Sequence, residues 1–211
     1  MARRRRVSPE RILAAAALEF AERGFAGARV DRIARRARVN KAMLYYHFHS
    51  KQALYRALLR QLFTLVATRL ESVASSRGSA VEKFDRVVAG LADAVREHAF
   101  FPAIMAREIA EGGAHLDRET LRALVSVPRA FFGIVQDGVA RGEFRPVHPL
   151  VAYFGTIAPI IFFVLAGPIR KEVTARRLMN LTAIGPDEFV RQLQETLRRA
   201  LLRDDAALAR P

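Results

Sequence analysis

The sequence predicts an all-α protein of about nine helices, and three observations carry that expectation. Apolar residues recur at three- and four-residue spacing along most of the 211 residues, whereas sustained alternation of the kind a half-buried strand needs is missing. A hydrophobic content of 51% is ample for a core. No period of 20 to 50 residues repeats, so the helices belong to a folded domain rather than to a solenoid.

The elements follow in order. Ser8 is a good N-cap, Pro9 suits the first helical position and Glu10 favours the first turn, so a helix starts there and runs to Arg23. Ile12, Ala16 and Phe20 form its stripe, and Gly24 supplies the left-handed stop. A second helix spans about Val30 to Ala37, with Val30, Ile33, Ala34 and Ala37 on one face and Arg29, Arg32, Arg35 and Arg36 on the other. After Arg38 and Val39, Asn40 caps a third helix of about eight residues that ends near Phe48. Ser50 caps a long fourth helix through Leu54, Leu58, Leu62 and Leu65 toward Ser75. The SSRGS stretch at 75–79 reads as a linker. Further helices are expected at about 80–99, 102–111, 117–141, 149–166 and 186–203, separated at Gly112 with Gly113, at RGEFRP, and at Gly185 with Pro186.

Charge divides the chain. The net charge is +14, and residues 1–60 hold fifteen Lys and Arg against four Asp and Glu, a net +11, which leaves +3 for the other 151 residues. A compact cation on a nearly neutral body has a phosphate backbone or an anionic membrane surface as its natural partner. The absence of cysteine excludes a disulfide framework, a cysteine nucleophile and a thiolate metal site, and it fits a reducing cytoplasm. RRRR followed by ILAAAAL resembles a signal peptide only superficially, because Glu10 and Arg11 interrupt it and Glu19 closes the apolar run early, so export is not expected. No phosphate-binding glycine loop, nucleophile elbow or HExxH string appears, and an enzyme is not expected.

Within the cationic segment, two helices joined by a tight turn, the second one short, form the pattern of a helix-turn-helix. On a helical wheel of VNKAMLYYHFHSK, residues 39–51, Leu44 and Phe48 point together into the core with Ile33 and Val39. Ala42, Met43 and Tyr46 point away from it, and Lys41, Tyr45 and His47 form the flanks. A tyrosine suits the wall of a DNA groove, since its ring packs on sugar or a thymine methyl while its hydroxyl reaches a phosphate oxygen. Lys51, beside the N-terminus of the fourth helix at Ser50, is placed to bind phosphate together with that helix's free N–H groups.

The stretch GFAGARVDRIARRARVNKAMLYYHFHSKQAL resembles the DNA-binding domain of the TetR family of bacterial transcriptional regulators, over residues 8 to about 58. The resemblance implies DNA contacts from Asn40, Lys41, Ala42, Met43, Tyr45, Tyr46, His47 and Lys51. The chain departs from the family pattern at Arg38, where glycine is usual in the turn, and at Ala28 and Arg29, which replace hydroxyl residues that often cap the second helix; Arg29 or Arg32 then takes over a phosphate contact. Arg3 to Arg6 read either as an arm entering an adjacent minor groove or as a tail adding nonspecific attraction. The resulting division is a DNA-binding domain over 1–58, with a basic arm at 1–7, and a helical effector-binding and dimerisation domain over 59–211.

From Pro146 to Ile169 there is no Asp, Glu, Lys or Arg, a run long enough to span a bilayer. A membrane-anchored DNA-binding protein is therefore the alternative reading. A buried helix in a bundle or oligomer core explains the run as well, and Tyr153, Gly155, Thr156, Pro159 and Gly167 interrupt it, so no membrane is expected. Val190, Leu193, Leu197 and Leu201 form an apolar stripe that can pair with the 149–166 helix. The resemblance implies a homodimer joined by two C-terminal helices from each protomer, here through Tyr153, Ile157, Ile160, Ile161, Val190, Leu193, Leu197 and Leu201. It also implies a small-molecule effector, for which Phe100, Phe101, Ile104, Met105, Phe131, Phe132, Ile134, Phe154 and Phe162 supply an apolar lining. Glu108, Glu111 and His115 match no strong metal spacing, so neither metal nor cofactor is expected. The reading as a whole is a cytoplasmic, dimeric repressor released from a palindromic operator of double-stranded DNA by a mostly apolar effector.

Overall fold

The computed structural model describes residues 8–202, and among them the chain forms ten helices and no strand. They are α1 (Pro9–Gly27), α2 (Val30–Arg36), α3 (Lys41–Phe48), α4 (Lys51–Ala74), α5 (Ala80–Glu97), α6 (Phe101–Ala110), α7 (Arg118–Ala140), α8 (Pro149–Leu165), α9 (Gly167–Ala175) and α10 (Pro186–Leu201). Two compact units result. One holds residues 8–63 with 103–124, the other 64–102 with 125–202.

In the first unit, α1 is helical to Arg23, and Gly24 breaks it at φ 68° and ψ 177°, a conformation that a side chain resists. The break turns Phe25 back onto Phe20 and Tyr55, with ring centroids 6.1 and 5.2 Å away. Ile12, Ala16, Phe20, Ile33, Ala34, Leu44, Leu54 and Leu58 are buried and form the core of α1–α4. A polar node lies beside it. Glu108 of α6 is 2% exposed, and its carboxylate accepts bonds from Tyr55 Oη at 2.9 Å and from the backbone N–H of His115 at 2.9 Å. Arg107 donates to the carbonyls of Phe20, at 3.1 Å, and Ala21, so the last turn of α1 is capped by a guanidinium from α6.

In the second unit, α5 begins in a capping box made by Ser79 and Glu82, reinforced by Glu143 Oε2, which accepts from the N–H groups of Ala80 (2.7 Å) and Val81 (3.3 Å). Phe84 packs edge-on against Phe131 and Phe144. Gly138 allows that packing, because a Cβ there would lie 2.2 Å from the Phe144 ring. α10 packs on α5 and α8, held by Arg198, whose guanidinium forks onto the Asp85 carboxylate, and by Gln194 Nε2 donating to Asp85 O at 2.9 Å.

α9 is the helix that the sequence reading of about nine did not anticipate. Gly167 and Pro168 read as a terminator, yet proline is equally at home in the first turn of a new helix, and the chain restarts there. Arg170 of α9 lies 3.6 Å over the Phe163 ring, which stacks on Phe189 at 4.0 Å. Among the described residues no single helix is long and apolar enough to cross a membrane; α8 and α9 together pass that test by length and composition, but they bend by 50° where they meet.

Candidate nucleic-acid interface

The interface is built from α3 outward. Asn40 Oδ1 accepts the Met43 N–H at 2.7 Å and starts the helix. Leu44 is 0% exposed and Phe48 is buried, as the wheel requires, whereas Tyr46 is 77% exposed and Lys41, Ala42, Met43 and Tyr45 are exposed beside it. His47 is half-buried, its ring edge-on to Tyr46. The two apolar anchors thus present one continuous face of small, aromatic and cationic side chains to solvent. The turn before α3 places Arg38 at φ 54°, so the residue that stands where glycine is usual adopts glycine's conformation at a cost.

Charge on this face is organised by carboxylates. Lys41 Nζ lies 2.5 Å from Asp31 Oδ1, a pairing that lowers the Asp31 carboxyl and raises the Lys41 ammonium relative to their ordinary values. Arg36 pairs with Glu22 at 3.0 Å, and Arg32 lies 3.9 Å from Glu19. Arg29, Arg35 and Arg38 are exposed and make no close ion pair among the described residues, although Arg29 and Arg35 lie near enough to Asp31 to help hold its carboxyl below the ordinary value. Ser50 Oγ accepts the Ala53 N–H at 3.0 Å and caps α4. Lys51 is half-buried and turned onto the end of α1, where its ammonium meets the Ala26 and Ala28 carbonyls at 3.3 and 3.1 Å. Arg3 to Arg6 lie outside the described residues.

The structural roles of two carboxylates were not foreseen in the sequence, although Glu108 was weighed there, and set aside, as a metal ligand. Glu19 is 2% exposed and accepts the N–H of Arg29, the N-cap residue of α2, at 3.2 Å, the part that an N3 carboxylate plays in a capping box. It sits on the apolar stripe of α1, and that misplacement was the available signal. Glu108 is the other. Its donor atoms and those of Glu111 and His115 lie within 4.8 Å of one another, but both Glu108 oxygens are occupied by Tyr55 and His115, so the cluster is satisfied by the protein itself. Burial, together with the Glu108 carboxylate, pushes the Tyr55 phenol far above its ordinary value.

The residues expected at an effector pocket and at a dimer interface are distributed differently from the sequence reading. Ile104 and Met105 fall in the first unit, and Phe100, Phe101, Phe131, Phe132 and Ile134 in the second. Phe131, Ile134 and Ile104 are core residues, buried completely. Phe131 and Phe132 meet Tyr153, with centroids 5.5 and 6.2 Å away, so Tyr153 is turned toward its own protomer. Phe154 and Phe162, expected as pocket lining, lie on the outer face of α8 with Val151, Phe162 being 71% exposed. Conversely Ile160 is 3% exposed and Leu201 is buried, so neither is available to a second copy; Ile157, Ile161, Val190, Leu193 and Leu197 are half-buried. The reason is the 3.6-residue period. Ala152, Thr156 and Ile160 face inward together, which turns Val151, Phe154, Ala158 and Phe162 outward.

Residues 12–58 match the family described as bacterial regulatory proteins, tetR family. The chain is 29% identical over 159 residues to the HTH-type transcriptional repressor NicS of Pseudomonas putida, covering 73% of this chain and 74% of that protein. It is 28% identical over 196 residues to the HTH-type transcriptional regulator RutR of Escherichia coli K12, covering 90% and 87%. The fold matches that of the transcriptional regulator FadR from Bacillus subtilis, solved in complex with stearoyl-CoA, with a TM-score of 0.69 at 19% identity over 90% of this chain and 97% of that one. With a capped, two-anchor recognition helix inside the matched segment, residues 12–58 form a DNA-binding domain of the tetR family of bacterial regulatory proteins, and the chain as a whole is similar to HTH-type transcriptional regulators.

Proposed function

We propose that the chain is a cytoplasmic, homodimeric repressor that reads a palindromic operator with α3. The observation that carries this reading is the division of α3 into a buried pair, Leu44 and Phe48, and an exposed face of Lys41, Ala42, Met43, Tyr45 and Tyr46. Asn40 and His47 border that face, and Arg29 and Arg32 add phosphate contacts from α2. DNA binding resides in residues 1–58, and dimerisation with effector binding in 59–211. A single eight-residue helix reads too few base pairs for a unique site, so two copies must reach successive major grooves about 34–36 Å apart.

The second copy docks on the outer face of α8, where Val151, Phe154 and Phe162 are exposed beside half-buried Ile161 and the α10 residues Leu193 and Leu197. The effector is a small, mostly apolar molecule, a reading that rests on the rings of Phe131, Phe132 and Tyr153 in the second unit. The experiment is selection of duplexes from a random library by the purified protein, followed by binding at 50 and 200 mM KCl. A two-fold symmetric motif with affinity falling about 10³-fold or more between those salts supports the reading. An enriched pool without symmetry, or no enrichment, overturns it. Release of the selected duplex in a screen of apolar metabolites, paired with thermal shift, tests the effector.

A further inference from the structure

The connection between α1 and α2 is held at both ends by opposite charges, Lys51 of α4 and Glu19 of α1. Its residues are Gly24 to Arg29. At its first end the last carbonyls of α1 have no following turn to bond to. Lys51, from the start of α4, donates to one of them, Ala26 O at 3.3 Å, and to the carbonyl of Ala28 just beyond the helix at 3.1 Å, with its ammonium 4.6 Å from the centroid of the Phe25 ring. At its second end α2 starts with Arg29 at the N-cap and no side-chain cap, and the buried carboxylate of Glu19 takes the Arg29 N–H at 3.2 Å. A cation thus sits at a helix C-terminus and an anion at a helix N-terminus, the favourable sense for both dipoles.

The ammonium of lysine has three donors and no acceptor. Two are engaged by carbonyls and a ring face covers a further side, so a phosphate contact from Lys51 must compete with bonds the fold already makes. Phe25 is in turn wedged against Phe20, Tyr55 and His115, the last with ring centroids 4.0 Å apart, so the segment that Lys51 grips is itself seated in the core of the unit. α2 hands directly to α3 through the strained turn at Arg38.

We propose that Lys51 and Glu19 are positioning residues: they clamp the α1–α2 connection and thereby set the placement of α2 and α3 for operator reading, Lys51 acting through this connection rather than on a DNA phosphate. This rests on the reading of α3 as the operator-binding helix. The test uses the full chain, the duplex selected by the wild-type protein and a scrambled duplex of the same composition, with Lys51→Met, Lys51→Arg and Glu19→Met, the last removing the acceptor of the Arg29 N–H. Affinity is measured by fluorescence anisotropy from 50 to 300 mM KCl, at a temperature below the melting transition of every variant.

For Lys51→Met the expected result is a loss of about ten-fold in operator affinity, a smaller selected-to-scrambled ratio and an unchanged salt slope; Lys51→Arg, which can still reach carbonyls, restores the ratio. Glu19→Met reduces the ratio in the same direction. Three outcomes overturn the proposal: a slope that falls by about 0.9 with the ratio kept, which makes Lys51 a phosphate ligand; a lower melting temperature with ratio and slope both kept, which makes the clamp a stability feature only; or no change at all. If Lys51→Met does not fold, Lys51→Arg and Glu19→Met decide, since a retained ratio in Glu19→Met or a lost one in Lys51→Arg is equally fatal. Failure of the wild-type chain to select any duplex would instead defeat the operator reading itself.

Discussion

α3 and α8 pose the same problem, which face of a helix turns inward, and only one of them answers it in its sequence. In α3 polar and apolar residues are mixed, so Leu44 and Phe48 stand out as the buried pair and the remaining face follows. In α8 every residue is apolar, small or uncharged, and the wheel carries no contrast from which to choose. The inward set proves to be Ala152, Thr156 and Ile160, and the large aromatics Phe154 and Phe162 turn outward. A helix that is apolar all round carries no record of which of its faces the rest of the chain buries.

That comparison can be broken first where the effect is largest. Leu44→Ala should cost about 2–5 kcal/mol of unfolding free energy by denaturant titration, and Ile160→Ala a loss in the same range, because both side chains are fully enclosed in their own unit. If Ile160→Ala instead leaves folding unchanged and only weakens association, the inward face of α8 has been misassigned. Phe162→Asp should convert a dimer to a monomer in sedimentation velocity with helicity retained, since the side chain is exposed within the protomer. A variant that stays dimeric removes this face from the interface. On α3, Tyr46→Ala should weaken binding to the selected duplex by about 1–3 kcal/mol with the melting temperature unchanged. The smallest effect belongs to Arg38→Gly. Relief of a left-handed residue, about 1–2 kcal/mol, is partly offset by the greater freedom of glycine in the unfolded chain, leaving a net stabilisation of under about 1 kcal/mol.

Caps and contrasts explain how much could be read in advance. Asn40, Ser50, Gly24 and Gly185 mark helix ends by local chemistry, and the helices they bound are present at nearly those limits; Ser8 stands at the N-cap of α1 without a side-chain cap hydrogen bond, and Pro9 carries that start. α9 was missed because Gly167–Pro168 signals a stop and a start with the same residues. At the interface, the wheel of α3 was legible, but the occupations of its cations were not. Whether Lys51 points at solvent or at Ala26 and Ala28, and whether Glu19 sits on a surface or under Arg29, depends on contacts between residues ten to twenty-five positions apart. Spacing within one helix does not encode those contacts. The grouping of residues 103–124 with the first unit was hidden for the same reason, since it is made by Arg107 and Glu108 reaching α1 and Tyr55.

The central claim, that the face of α3 opposite Leu44 and Phe48 lies against duplex DNA, is tested most directly by placing a photoactivatable benzoylphenylalanine at position 46 and irradiating the chain with the duplex it selects. A covalent adduct at position 46 that a scrambled duplex does not give, and that the same residue at the exposed position 109 on α6 does not give, is the predicted result. Full operator binding with no adduct at position 46, or equal adducts at both positions, would contradict it.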